Sequence, residues 1–170
     1  MDTVSIQSPK YTLNDKWNLY YHLPDDKNWD ISSYTTIFGG IHSAEEVIAI
    51  NDALPEPVIK SCMLFLMRSN ITPMWEDPKN RSGGCFSYRI TNKLVPEVWK
   101  NLVFLCCGET ITSNINLHKH VNGITISPKK NFCIIKIWLD TIDFQEPTFI
   151  KQIANLPFQG CIFKKHEPEF

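Results

Sequence analysis

Trp75 and Glu76 stand side by side within residues 70–86, N-I-T-P-M-W-E-D-P-K-N-R-S-G-G-C-F, outside any apolar period. Pro73 and Pro78 bracket the pair; each lacks an amide hydrogen and fixes its own φ. A large aromatic ring beside a carboxylate on a stiff, polar loop suits recognition of a flat ligand that donates hydrogen bonds. The same residues also fit a ring folded onto the core with Glu76 in solvent, since Trp is highly buried on average. Trp29 follows another turn cluster at residues 24–28, so both rings can line one end of a sheet and sandwich a base. In single-strand binders each such stack contributes roughly 1–3 kcal/mol. Lys129 and Lys130 sit on a third loop, where they either meet phosphates or form a solvated turn. Trp17, Trp99 and Trp138 lie in apolar surroundings and read as core.

The elements that must position these residues follow from pattern. Residues 16–23 favour a strand by aromatic content, and residues 34–41 form a second. Ser43 is a good N-cap with Glu46 at the capping-box position, opening a helix to about Ala53 that Pro55 and Pro57 stop. Residues 62–68 are a continuous apolar run of strand length, and residues 85–91 alternate as a strand. Asp77-Pro78 opens a short helical turn that Gly83-Gly84 ends. Residues 94–108 make the strongest amphipathic helix, with Gly108 as its C-cap. Residues 110–120 read as a polar loop, 121–127 and 132–139 as two strands, 146–155 as a third helix and 160–165 as a last strand. The order implies an α+β fold with an antiparallel sheet and helices on one face. Residues 1–14 are expected to be a flexible arm and residues 15–170 one domain.

With 170 residues and a net charge of −1, the chain suits a single domain. It lacks the basic face needed to grip long nucleic acid by its phosphates, though a small local site is compatible with it. Its six cysteines include no C-x-x-C pair and mostly sit in apolar runs, so they read as buried thiols of a reducing compartment. The N-terminus shows no apolar signal core, and no apolar run is long enough to cross a membrane. His118 and His120 lack a third ligand at motif spacing, and no cysteine is paired with a histidine. The expectation is a binding protein without catalytic residues, metal or cofactor.

The stretch P-M-W-E-D-P-K-N-R-S-G-G resembles the signature loop of the eukaryotic translation initiation factor 4E family, the messenger-RNA cap-binding proteins. Lys16-Trp17 with Tyr20-Tyr21, Asn28-Trp29, Val98-Trp99 through Cys107-Gly108-Glu109, and Ile135-Lys136-Ile137-Trp138 resemble other family segments in the same order. The resemblance spans roughly residues 11–165. It implies a single curved antiparallel sheet with three helices on the convex face and cap-binding loops on the concave side. It also implies a role in translation initiation for a cytoplasmic, monomeric protein. The ligand would be the 7-methylguanosine triphosphate end of capped mRNA, its cationic base stacked between Trp29 and Trp75. Glu76 would accept from the guanine N1–H and N2 amine, and Trp138 would lie against the N7 methyl group.

Departures from the family pattern sharpen the expectations. The usual triphosphate Arg falls near Lys129 and the usual Lys on Ile134, while Cys85 replaces the basic residue after the glycine pair. Phosphate contacts are therefore assigned to Lys129, Lys130 and Arg81. The family docks scaffold helices of the form Y-x-x-x-x-L-Φ on its convex side through a Trp on the first helix. That position is Ile48 here, near Ala44, and an apolar neighbour becomes Lys100. The alternatives are a cap-binding repressor or decoy that does not recruit the usual scaffold, and a scaffold-interaction module without cap affinity.

Overall fold

The computed structural model describes residues 8–170. One curved antiparallel sheet dominates, built from β1 (Thr12–His22), β2 (Thr35–Ser43), β3 (Met63–Arg68), β4 (Gly84–Thr91), β5 (Val121–Pro128), β6 (Phe132–Leu139) and β7 (Ile162–Lys165). The strand order is β2-β1-β3-β5-β6-β4-β7. The chain therefore leaves β3, passes over β5 and β6, and enters β4. The loop carrying Trp75 is that crossing.

Side chains alternate across a strand, so each strand divides its residues between two faces. Leu64 and Leu66 of β3, Phe86 and Tyr88 of β4, and Ile135 and Ile137 of β6 enter the large core beneath the helices. Phe65, Met67, Cys85 and Trp138 point to the opposite face, where Tyr20, Tyr34, Met63 and Trp75 pack with them. A one-residue register slip would exchange the two sets. In β6 the same parity puts Ile134 and Lys136 on the face of Trp138. Close approach fixes the start of β4: a Cβ on Gly83 would lie 1.8 Å from the Leu139 carbonyl oxygen.

The helices are α1 (Ala44–Ala53), α2 (Glu56–Ser61), α3 (Val95–Cys107) and α4 (Ile115–His118). Ser43 and Glu46 form the expected capping box: the Ser43 hydroxyl accepts from the Glu46 amide, and the Glu46 carboxylate accepts from the Ser43 amide. The His42 amide, which donates to the same carboxylate at 2.7 Å, is the largest cause holding the Glu46 carboxyl below its usual range, and the Ser43 bonds add to it. Val98, Trp99, Leu102 and Val103 bury the inner face of α3 against the sheet. At its end Gly108 keeps a right-handed φ, and the left-handed residue is Glu109 at 54°. That turn brings Glu109 to Arg68, which also pairs with Asp15 and donates from Nε to the Val121 carbonyl.

Three expectations need correction. The third helix, over residues 146–155, is only a 3-10 turn at Pro147–Phe149. Its backbone groups are engaged elsewhere: the Phe149 carbonyl accepts from Thr112 Oγ1 and the Lys151 amide donates to Ile111. Pro57 ends nothing; at the first turn of α2 its missing N–H has no helical partner to lose. The loop over residues 110–120 holds α4, capped by the Asn114 side chain. Of the residues assigned to an arm, 12–14 belong to β1, and residues 1–7 lie outside the described part. The described cysteines are free thiols, four buried and two, Cys62 and Cys161, half-buried.

Candidate functional site

The Trp75 loop is irregular yet firmly tied. The Asn80 side chain is 0% exposed. Its Nδ2 donates to the carbonyls of Thr72, at 3.0 Å, and Met74, at 2.8 Å, closing the loop on itself. Its Oδ1 accepts from Asn122 Nδ2 at 2.8 Å, which fastens the loop to β5. Asp77 adds a second tie, accepting from the amide and hydroxyl of Thr72 and the amide of Lys79. The Asn80 and Arg81 amides both return to the Asp77 carbonyl, the single helical turn expected after Pro78.

Trp75 and Trp29 line one cavity of about 240 Å³ on the face away from the core. Each ring is backed by an imidazole. Trp29 stacks on His22 with centroids 4.2 Å apart and planes 5° from parallel. Both His22 nitrogens lie 2.8 Å from carbonyl oxygens, of Leu23 and Asn28, which fixes the ring plane and hence the stack. Trp75 stacks on His166 at 5.8 Å and 17°. His166 is buried, its Nδ1 lies 2.6 Å from the Asn80 carbonyl, and its Nε2 has no partner. Burial, and then the Lys136 charge, push the His166 pKa below its ordinary value, against the Asn80 hydrogen bond. Trp29 remains 47% exposed, so one ring face is open to incoming planar groups.

The rest of the wall is mixed. Trp138 is buried and donates from Nε1 to Thr125 Oγ1 at 3.0 Å. Glu76 contributes the carboxylate. Tyr34 packs edge-on against Phe65, and burial, followed by the Glu76 charge, raises its phenol far above the ordinary value. Tyr34 is thus a neutral hydroxyl. Lys136 is the one cation lining the cavity among the described residues, with Nζ 5.7 Å from the Trp75 ring centroid. Such a wall stacks a flat ring, accepts its N–H groups and attracts an anion. Among the described residues no group of three His, Cys, Asp or Glu side chains is gathered to hold a metal ion.

Trp29, Trp75, Glu76 and Trp138 therefore converge on one cavity. Lys129 and Lys130 lie exposed on the β5–β6 turn, outside its lining, and Arg81 is exposed with Nη2 3.2 Å from the Phe170 carbonyl. Ile48 and Lys100 lie on α1 and α3, joined by the bond from Asn51 Nδ2 to the Lys100 carbonyl; Ala44 opens α1. Sequence reasoning missed Lys136, Tyr34, His22 and His166. Lys136 was detectable: it stands two residues before Trp138, on the same strand face. The histidines had no sequence signal, because their role is set by which ring lies behind which.

A family model described as eukaryotic initiation factor 4E matches residues 12–167. The chain belongs to that family. The eukaryotic translation initiation factor 4E of Saccharomyces cerevisiae is 30% identical over 162 residues, covering 89% of this chain and 74% of that protein. The Eremothecium gossypii factor is 30% identical over 146 residues, covering 78% of this chain; the chain spans 64% of that relative's length. A homologue from Acanthamoeba polyphaga mimivirus is 43% identical over 63 residues, 37% of this chain and 23% of that protein. Among solved structures, a schistosome eIF4E complexed with m7GpppA and 4E-BP aligns at TM-score 0.69 and 22% identity, covering 81% of this chain and 75% of that one. Ascaris suum eIF4E-3 with m7G cap aligns at 0.68 and 18%, covering 78% and 76%. These two likenesses concern the fold.

Replacing Asn80 by Ala deletes three buried hydrogen bonds, each contributing about 0.5–1.5 kcal/mol, while Thr72, Met74 and Asn122 each keep one other partner. Urea unfolding should show Asn80→Ala destabilised by at least about 2 kcal/mol; a change below about 0.5 kcal/mol would remove Asn80 as the loop's tie. His166 gives a pH test. Its folded pKa lies below its ordinary 6.5, so its contribution to stability is complete above that value. It is lost as pH falls from there through the folded value. Melting temperatures from pH 8 to 5 should fall more steeply for the wild-type chain than for His166→Gln, and parallel curves would contradict this.

Proposed function

We propose that this protein binds the 7-methylguanosine 5′ cap of mRNA in the Trp29–Trp75 cavity and acts in translation initiation. The observation that carries the reading is the pair of imidazole-backed tryptophans on one cavity beside Glu76. A tryptophan held from behind loses little freedom when a base stacks on its other face, so more of the stacking energy is kept. The alkylated base is cationic, and the ring quadrupoles favour it over neutral guanine. Glu76 accepts from N1–H and the N2 amine, charge-assisted bonds that adenine cannot supply. Trp138, at the cavity floor, meets the N7 methyl group. Family membership supports the reading, as do relatives described as complexed with m7GpppA or an m7G cap. This binding needs no catalytic group.

The triphosphate is assigned chiefly to Lys136, with Arg81 beside the mouth and Lys129 and Lys130 acting at longer range. The test is tryptophan fluorescence quenching by 7-methyl-GTP. Trp29→Ala and Trp75→Ala should each lose roughly 1–3 kcal/mol. Lys136→Met should weaken 7-methyl-GTP several-fold more than bare 7-methylguanosine, with Lys129→Ala giving the smaller effect. Tryptophan variants that bind like the wild type would sink the sandwich. Equal losses for both ligands in Lys136→Met would sink the phosphate assignment.

A second proposal concerns partners, since some relatives are described in complexes with 4E-BP or the 4E-binding protein Mextli. Ile48 is 51% exposed and Phe104, one turn beyond Lys100 on α3, is 44% exposed. Together with Ala44 they offer an aliphatic and aromatic patch interrupted by a charge. Interface energy concentrates in Trp, Tyr and Arg anchors, and Ile48 supplies none. A scaffold helix of the form Y-x-x-x-x-L-Φ should bind this chain at least tenfold more weakly than an Ile48→Trp, Lys100→Leu variant. Anisotropy of a labelled consensus peptide measures both. Equal tight binding would refute the altered surface, whereas weak binding fits a cap-binding repressor or decoy.

A further inference from the structure

Glu76 already has a hydrogen-bond donor, and the donor comes from the chain itself. The Glu169 amide lies 3.2 Å from Glu76 Oε1. The next residue is tied as well, through the Phe170 carbonyl and Arg81 Nη2 at 3.2 Å, and both Glu169 and Phe170 line the cavity. The segment starts from a fixed point. The His166 amide donates to the Gly83 carbonyl at 3.0 Å, its Nδ1 lies 2.6 Å from the Asn80 carbonyl, and its ring lies between Trp75 and Trp138. Beyond His166 only a few residues separate the cavity wall from the mouth.

We propose that residues 167–170 form a strap that competes with nucleotide for the cavity, the Glu169 amide holding the Glu76 oxygen that a ligand N–H would use. The proposal rests on the cap-binding reading above and adds regulation of the same site. The chemistry is a match of donors: a carboxylate only accepts, and a peptide N–H fills one of its oxygens as a guanine N–H does. The Glu169 carboxylate at the mouth also opposes an incoming triphosphate, so a closed strap resists both ends of the ligand. The strap is built to open. Phe170 is 72% exposed, and the Glu169–Glu76 and Arg81–Phe170 bonds lie in solvent, so little apolar burial resists opening. The His166 anchor keeps the released segment nearby, so closure recurs at high effective concentration. Ligand must then bind the open fraction, and apparent affinity falls by that fraction.

The test uses the full chain with two substitutions. Glu169→Pro removes the amide hydrogen and the carboxylate; Glu169→Gln removes only the charge. Titration with 7-methyl-GDP should show Glu169→Pro binding about three- to tenfold tighter than wild type, as expected for a strap closed in most molecules. Glu169→Gln should fall nearer wild type than Glu169→Pro. In the free protein the Glu169 amide should exchange more slowly than that of Glu167, and Glu76→Ala should abolish the difference. Equal or weaker binding by Glu169→Pro, or no slowing of the Glu169 amide, would overturn the strap alone. Failure of all three proteins to bind 7-methyl-GDP would overturn the cap-binding reading and the competitor role together.

Discussion

The buried side-chain amide of Asn80 is the constraint on which the site depends. Its Nδ2 donates to the Thr72 and Met74 carbonyls across the Trp75 turn and its Oδ1 holds strand β5, while the backbone carbonyl of the same residue meets His166. Unsatisfied, such groups would cost several kcal/mol in the interior. Satisfied, they make an irregular loop as determinate as a strand. Trp75 and Glu76 inherit that rigidity. His166 inherits it too, and passes it on to Trp75 and Trp138 by ring contact. One residue, through its side chain and its backbone carbonyl, thus connects Trp75 and Trp138.

The second wall is organised by the same device in different chemistry. His22 lies between two carbonyl oxygens, and its ring plane sets that of Trp29. Each wall is thus held from one side by an imidazole, while Lys136 Nζ approaches the Trp75 ring at 5.7 Å and Trp29 stays 47% exposed. The sheet supplies the separation. Strand parity sends Leu64, Leu66, Phe86, Tyr88, Ile135 and Ile137 to the helices and Phe65, Met67, Lys136 and Trp138 to the other face. The large core and the cavity thus occupy opposite faces of the same strands.

Much of this was legible in the chain. Continuous apolar runs and alternation mark the strands of the sheet, and Ser43 with Glu46 marks the start of α1 by an interaction entirely local in sequence. The Trp75 loop was legible because prolines, glycines and an aromatic–carboxylate pair sit within a few residues of each other. What was not legible depends on tertiary partners. The stretch around Pro147 has helix-compatible composition, but Thr112 and Ile111 take its backbone bonds. Lys129 and Lys130 stand out as a pair of charges, yet among the described residues the cation lining the cavity is Lys136, whose position depends on strand register. His22 and His166 act by ring stacking, which leaves no periodic trace.

The central claim is that a positively charged, flat ring is what the two tryptophans hold. The most direct measurement is calorimetric titration of the full chain with 7-methyl-GTP and with GTP under one buffer and salt condition, since phosphate contacts cancel between the ligands. A desolvated cation–π contribution of about 2 kcal/mol and the methyl contact with Trp138 together predict at least a tenfold preference for the methylated nucleotide. Equal affinity for the two would contradict the account, because the stacked pair would then be blind to the charge it is held to recognise.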